Sequence, residues 1–342
     1  MTFLPRSSPP KILICGPSWV GDMVLAQSLF KILKAQQPKC RIDVAAPPWT
    51  IPLLDHMPEV DNVIPLPFKH RQFLFFERIK FGRSLRHERY TQAIILTNSF
   101  KSAILPFFAN IPQRTSFLGE MRYGLINDIR PLNKSNLPRT VDRFVTLGLP
   151  FGTSLPSKLP EPVLISNKNF ALATLKKIGV FATPEKILGL CPGAEYGEAK
   201  CWPAEHYAEV ASDALAKGFQ VFLFGSLKDA SITQKVNSLT GNKCLDLGGK
   251  TSLSEAINLI SLCDSVVSND SGLMHISSAL DKRLIAIYGS STPLHTPPMS
   301  NKSVIEYLNL ECSPCFKRVC PLSHLNCLKN ISSARVISDL YK

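Results

Sequence analysis

The sequence predicts an α/β protein built from two doubly wound parallel sheets. Three observations carry this. Apolar, β-rich runs alternate with segments of helical period; the rhythm occurs twice; and a stretch rich in Pro, Gly and Ser at 149–162 separates the two series. With 342 residues the chain is long enough for two domains that each bury a core. The expected division is 1–160, 161–330 and a terminal helical segment at 331–342.

In the first series, strand 11–15 stops at Gly16-Pro17 and helix 23–35 follows. Strand 41–46, helix 51–57, strand 62–66, strand 93–97 and helix 102–109 continue the alternation. The second series opens with strand 187–191, which stops at Pro192-Gly193, and helix 204–216, whose start Pro203 pre-sets. Strand 220–224, helix 253–263, strand 265–268, helix 273–280 and strand 284–288 complete it, and 332–341 reads as a short amphipathic helix. Two such sheets facing each other put a cleft at the carboxyl ends of their strands, so function is expected in the strand-to-helix loops.

Composition narrows the classes. Hydrophobic content of 45% with 27 prolines describes a globular chain of many short elements and excludes collagen, coiled coil and low-complexity classes. The first ten residues are polar and Pro-rich, and the apolar run 12–15 is too short for a signal-peptide core. No run of about 18 apolar residues occurs, so no bilayer-spanning helix is expected and the chain is placed in the cytoplasm. Ten cysteines spread over so long a chain, with Cys15 and Cys191 in strand-like runs, read as buried thiols. Net charge is +13, and it is uneven: residues 1–160 hold 21 Lys and Arg against 10 Asp and Glu, while 161–342 hold 18 against 16. The first half therefore suits an acidic partner, be it nucleic acid, anionic lipid or a phosphorylated glycan, unless the charge only solvates the surface.

Three loops carry candidate chemistry. Gly16-Pro17-Ser18-Trp19-Val20-Gly21-Asp22 has the glycine spacing of a P-loop but lacks its Lys-Ser/Thr, so it is not a triphosphatase loop. It offers a carboxylate instead. At a helix N-terminus the ionised form of Asp22 is favoured, which suits a general base, although a first-turn acidic residue is also ordinary helix chemistry. The second loop, 191–203, is long, rich in small residues, and places Lys200 just before a helix, as a clamp for an anion or as a solvated lysine. In the third, Ser268-Asn269-Asp270-Ser271-Gly272-Leu273-Met274-His275, Ser271, Gly272 and the following N–H groups could cradle a phosphate. Asp270 would repel that phosphate, so it orients the loop, binds a hydroxyl or caps the helix; His275 is either functional or core-facing.

These strings, together with Asn98-Ser99-Phe100-Lys101-Ser102-Ala103 and Gly119-Glu120-Met121-Arg122-Tyr123-Gly124-Leu125, resemble the ADP-heptose:lipopolysaccharide heptosyltransferases, most of all the heptosyltransferase II group. The resemblance runs from about residue 11 to 330 with the motifs in family order. It implies a GT-B glycosyltransferase: two Rossmann-like doubly wound domains facing a central cleft, with acceptor bound by the N-terminal and nucleotide sugar by the C-terminal domain. The implied reaction moves L-glycero-D-manno-heptose from ADP-heptose to the first heptose of the lipopolysaccharide inner core, heptosyl-Kdo2-lipid A, with inversion and without a cofactor or metal.

By the same resemblance Asp22 is the catalytic residue. Gly193, Glu195, Tyr196, Lys200, Asp270, Ser271, Gly272 and His275 bind the donor, and Asp229 faces the ribose through a looser match. Ser18, Trp19, Arg71, Lys101, Arg114 and Arg122 are assigned to the phosphorylated acceptor. Basic and aromatic residues interleaved at 68–89 suit the surface of the inner membrane where a lipid-anchored acceptor sits, though the aromatics equally suit a core. Nucleic acid is not an implied partner. Cys312, Cys315, Cys320 and Cys327, with His324 among them, allow a structural zinc, reduced thiols or disulfides. Alternatives are a heptosyltransferase with another core or O-antigen acceptor, a GT-B-like nucleotide-sugar epimerase, and a basic binding module without catalysis, which would leave Asp22 idle.

Overall fold

A computed structural model of the chain describes residues 9–68, 72–180 and 185–342. In chain order its elements are β1 (Lys11–Cys15), α1 (Val20–Gln36), β2 (Arg41–Ala46), α2 (Ile51–Leu54), β3 (Asn62–Pro65), α3 (Phe75–Ser84), β4 (Gln92–Ile95), α4 (Phe100–Phe108), β5 (Gln113–Phe117), β6 (Asp128–Arg130) and α5 (Thr140–Gly148). There follow α6 (Lys168–Lys177), β7 (Ile187–Cys191), α7 (Ala204–Ala216), β8 (Gln220–Leu223), α8 (Ala230–Leu239), β9 (Leu245–Asp246), α9 (Leu253–Ile260), β10 (Ser265–Asn269), α10 (Gly272–Ala279), β11 (Arg283–Tyr288), β12 (Ser303–Tyr307), α11 (Asn326–Lys329) and α12 (Ser333–Leu340). The chain divides into two compact units between Pro160 and Glu161.

Each unit holds one six-stranded parallel sheet, ordered β3-β2-β1-β4-β5-β6 in the first and β12-β11-β10-β7-β8-β9 in the second. In each, the first strand of the unit lies between the second and the fourth, so strand order reverses there and the two loops leaving the carboxyl ends diverge. The paired strands β1 and β4 in the first sheet, and β7 and β10 in the second, are therefore where open α/β sheets hold ligands. The central strands are buried along almost their whole length, as a parallel sheet covered on both faces requires. Trp202 and Tyr207 anchor the second core, both fully buried, with the Trp202 indole Nε1–H donating to Ile331 O at 2.9 Å.

The strands with apolar runs stand where the sequence puts them, with ends moving by a residue or two. The expected helix 51–57 shortens to one turn, Ile51–Leu54, after a 3-10 turn at Pro48–Thr50; prolines occupy the first positions of both. Strands β5 and β12 are absent from the sequence reading because most of their buried residues are polar. In β5 the Ser116 hydroxyl donates to Ile95 O at 2.8 Å and that of Thr115 to Asp128 Oδ2 at 2.8 Å; in β12 the buried Glu306 pairs with Arg335 at 2.6 Å. The terminal helix α12 belongs to the second unit, packing on α7 and β11, and Arg283 holds its end through Leu340 O and Asp339 O.

Candidate active site

At the reversal point of the first sheet, the loop from β1 to α1 meets the loop that follows β4. Gly16 donates to Ala45 O at 3.0 Å, and a Cβ there would lie 2.6 Å from the Met23 methyl, so the turn packs closely on α1 and β2. Trp49 fixes the turn from outside by donating to Ser18 O at 2.8 Å. The helix then starts without a side-chain cap, and Asp22 is the acidic residue of its first turn, among N–H groups that have no intrahelical partner. A cavity of about 340 Å³ opens beside it, lined by Pro17, Ser18, Trp19, Asp22, Leu96, Thr97, Asn98, Phe117, Thr140, Arg143 and Phe144. Ser18, Trp19 and Asp22 thus come together as read from sequence. Arg143 was not read there: it reaches the cavity from α5, its guanidinium tied to Leu137 O and Pro138 O at 2.9 Å each.

At the reversal point of the second sheet, the loops after β7 and β10 are bound through Asn269. Its Oδ1 accepts from Trp202 N and from the Tyr207 hydroxyl, both at 3.0 Å, and its Nδ2 donates to Pro192 O at 2.7 Å. This brings Lys200 onto Asp270, Nζ to Oδ2 at 2.5 Å, both largely buried. Ser291, from the loop after β11, donates to the same Oδ2 at 2.5 Å. Asp270 therefore orients Lys200 and is itself oriented by Ser291, a pairing not among the roles read for it from the sequence. Next to it α10 begins at Gly272 with no side-chain cap on its N-terminal N–H groups, an end suited to an anion. Gly193 and Asp229 also meet: a Cβ on Gly193 would stand 2.2 Å from Asp229 Cγ, while the Asp229 carboxylate accepts from Ser226 N and Oγ at 2.9 and 2.7 Å. Tyr196 presents its ring to Lys200 Nζ, 5.1 Å from the centroid, and Glu195 forms an exposed ion pair with Lys228.

His275 is buried under this loop. Burial pushes its imidazole down to about 4, with Asp270 pulling it up and Lys200 pushing it further down. It is neutral at physiological pH. Because an unfolded histidine protonates near 6.5, the stability of the neutral folded form is present above 6.5 and is lost as pH falls through 4. Thermal midpoints of His275→Gln should therefore fall less steeply than wild type between pH 7.5 and 5; parallel curves would remove His275 from the acid response.

The acceptor residues divide. Arg71 lies outside the described residues, as do Lys69 and His70. Lys101 sits half-buried in the first turn of α4 and is not one of the residues lining the cavity. Arg114 is committed to backbone, donating to Leu125 O and Ile111 O at 2.7 and 2.6 Å with its guanidinium over Phe107. Arg122 is a correction. Its side chain is fully buried, donating to Phe117 O, Thr97 O, Ser116 Oγ, Gly119 O and Ser102 Oγ at 2.5 to 3.2 Å, so it ties the loops after β4 and β5 together and has no surface for an acceptor anion. Arg122→Ala should lower stability by about 2–4 kcal/mol, seen in the thermal or urea midpoint, because those carbonyls lose their donors together. A midpoint unchanged with a raised acceptor KM would restore Arg122 to the acceptor site. Arg78, from the basic and aromatic stretch, is likewise buried, 4.1 Å over Phe68, whereas Phe73 and Phe76 are exposed.

All ten cysteines are free thiols. Among the described residues no group of three or more His, Cys, Asp or Glu side chains is arranged to hold a metal ion, so the zinc alternative at Cys312, Cys315, Cys320 and Cys327 has no ready-made ligand set. Cys327 is buried on α11 while the other three are half-exposed on the preceding segment. Among the described residues no helix is long and apolar enough to cross a membrane.

The chain matches glycosyltransferase family 9 (heptosyltransferase) over residues 78–326. It belongs to that family. As a family 9 glycosyltransferase it is 44% identical over 339 residues to lipopolysaccharide heptosyltransferase 2 of Salmonella typhimurium, covering 97% of each chain. To the Escherichia coli K12 protein of the same name it is 45% identical over 302 residues, 86% of each chain. Its fold matches the structure of E. coli ADP-heptose LPS heptosyltransferase II with a TM-score of 0.86 at 41% identity, covering 97% of each chain. A family 9 glycosyltransferase from Veillonella parvula shares the fold alone, with a TM-score of 0.85 at 19% identity over 96% of each chain. The two parallel six-stranded sheets with flanking helices are thus those of a GT-B glycosyltransferase.

Proposed function

We propose that this enzyme transfers L-glycero-D-manno-heptose from ADP-heptose to the first heptose of the lipopolysaccharide inner core, inverting the anomeric centre in one displacement. The observation that carries the reading is identity of 44% along 97% of a lipopolysaccharide heptosyltransferase 2. The chemistry needs a base at the acceptor hydroxyl and positive charge at the departing diphosphate. Asp22, in the cavity of the first unit, takes the proton; Lys200, held by Asp270, and the N-terminus of α10 receive the diphosphate in the second. Gly193, Glu195, Tyr196, Asp229, Ser271 and His275 are assigned to the donor with them, supported by the Tyr196 ring beside Lys200, and Ser18 and Trp19, which line the cavity with Asp22, to the acceptor.

Neither a metal nor an organic cofactor enters this mechanism. The acceptor is lipid-anchored, so the enzyme works at the cytoplasmic face of the inner membrane, touching it peripherally; the net charge of the first half and the exposed Phe73 and Phe76 support that placement. The test is mass analysis of purified truncated lipopolysaccharide bearing one core heptose after incubation with enzyme and ADP-heptose. Gain of one heptose per acceptor is expected. Donor breakdown or isomerisation without acceptor gain would overturn the reading.

A further inference from the structure

The segment between β12 and α11, which carries the four clustered cysteines, is built onto the donor loop. Arg318 O accepts from Ala199 N at 3.0 Å, Phe316 O accepts from the Tyr196 hydroxyl at 2.7 Å, and Phe316 N donates to Ser290 O at 2.7 Å. Ser290 N in turn donates to Ala199 O at 3.3 Å, closing a triangle between this segment and the loops after β7 and β11. Gly197 is required by the same approach: at φ +149° its added Cβ would lie 2.6 Å from Arg318 O. Phe316 stacks on His295, ring centroids 5.3 Å apart and nearly parallel, which fixes the segment from its other side.

The backbone of residue 318 is therefore held against the loop that carries Lys200, while its side chain stays exposed. The guanidinium stands 5.1 Å from the centroid of the Tyr196 ring, the same distance as Lys200 Nζ from that ring. Two cations thus gather at one aromatic ring, and they differ. Lys200 is neutralised by Asp270, whereas among the described residues no carboxylate pairs with Arg318. Two cations at one ring raise the local positive potential, which the face of Tyr196 offsets only in part, and a diphosphate would relieve it; the planar fork of a guanidinium matches phosphate oxygens in pairs. The geometry points to Arg318 as a second donor-binding cation, contacting the diphosphate of ADP-heptose opposite or beside Lys200. This deepens the donor-site reading above and rests on it.

Calorimetry with ADP and with adenosine, on full-length wild type and the variants Arg318→Ala, Arg318→Lys and Lys317→Ala, tests the assignment. Because the segment is fixed through backbone groups, truncating the Arg318 side chain leaves the loop in place, and thermal midpoints should stay together. Arg318→Ala should weaken ADP by about tenfold or more while leaving adenosine unchanged, Arg318→Lys should fall between, and Lys317→Ala should match wild type. Unchanged ADP affinity in Arg318→Ala would overturn the proposal, as would a proportional loss for adenosine, which would make the segment purely structural. Failure of wild type itself to bind ADP would overturn the donor site as a whole.

Discussion

Replacing Asp22 by Asn should lower kcat by about 10²–10⁴-fold, the range of a lost general base, while calorimetry finds ADP bound as tightly as in wild type. Asn keeps the size and hydrogen-bonding reach of the side chain, so the first turn of α1 and the cavity of the first unit stay formed, and only the ability to take a proton goes. The residues proposed to bind the donor belong to the other unit, so the substitution alters none of the proposed donor contacts. A purely structural Asp22 would behave differently: as a first-turn acidic residue it contributes about 0.3–1 kcal/mol through the helix dipole, and Asn would lower the thermal midpoint slightly with turnover intact. Turnover retained in Asp22→Asn would reduce this residue to helix chemistry.

Lys200→Ala should weaken ADP and ADP-heptose alike by about 10–100-fold, because a charge-assisted contact of about 1.5–3 kcal/mol is lost in ground and transition state together. The structure adds a second consequence. Asp270 would keep its Ser291 hydrogen bond but lose the cation 2.5 Å away, leaving a largely buried carboxylate aimed at the phosphate site, so the loss combines missing attraction with new repulsion. The double variant Lys200→Ala/Asp270→Asn should recover part of the affinity. Calorimetry decides both points; unchanged ADP affinity in Lys200→Ala would remove it from the donor site, and no recovery in the double variant would leave Asp270 without influence on the phosphate.

The parts of this fold legible in the sequence are those where burial on both faces forces an uninterrupted apolar run. Strands β1, β7 and β11 are of that kind, and Gly or Pro breaks mark the loops that leave β1 and β7. Since ligand sites of doubly wound sheets lie where their strands end, the loops that carry Asp22, Lys200 and Asp270 are candidates on sequence alone. What stayed hidden has one physical cause: a polar side chain satisfied inside the protein has the same letter as one in water. Ser116 and Thr115 conceal β5, and Glu306 conceals β12. Arg122 and Arg78 count toward the basic balance of the first half yet spend their guanidinium groups on carbonyls within it. Arg143, Ser291 and Arg318 escape for the complementary reason, that topology and not sequence spacing brings them beside these loops.

The claim on which the assignment of Asp22 depends is that heptose moves in a single displacement assisted by a base. The anomeric configuration of the new linkage tests it most directly. Enzyme, ADP-heptose and truncated lipopolysaccharide bearing one core heptose are incubated, and the one-bond C1–H1 coupling of the added heptose is read by NMR against that of the donor. The account predicts the opposite configuration at C1. A product that retains the donor's configuration would contradict it, because retention requires either two displacements or departure and return on one face, and in neither does a base beside the acceptor hydroxyl opposite the leaving diphosphate have a place.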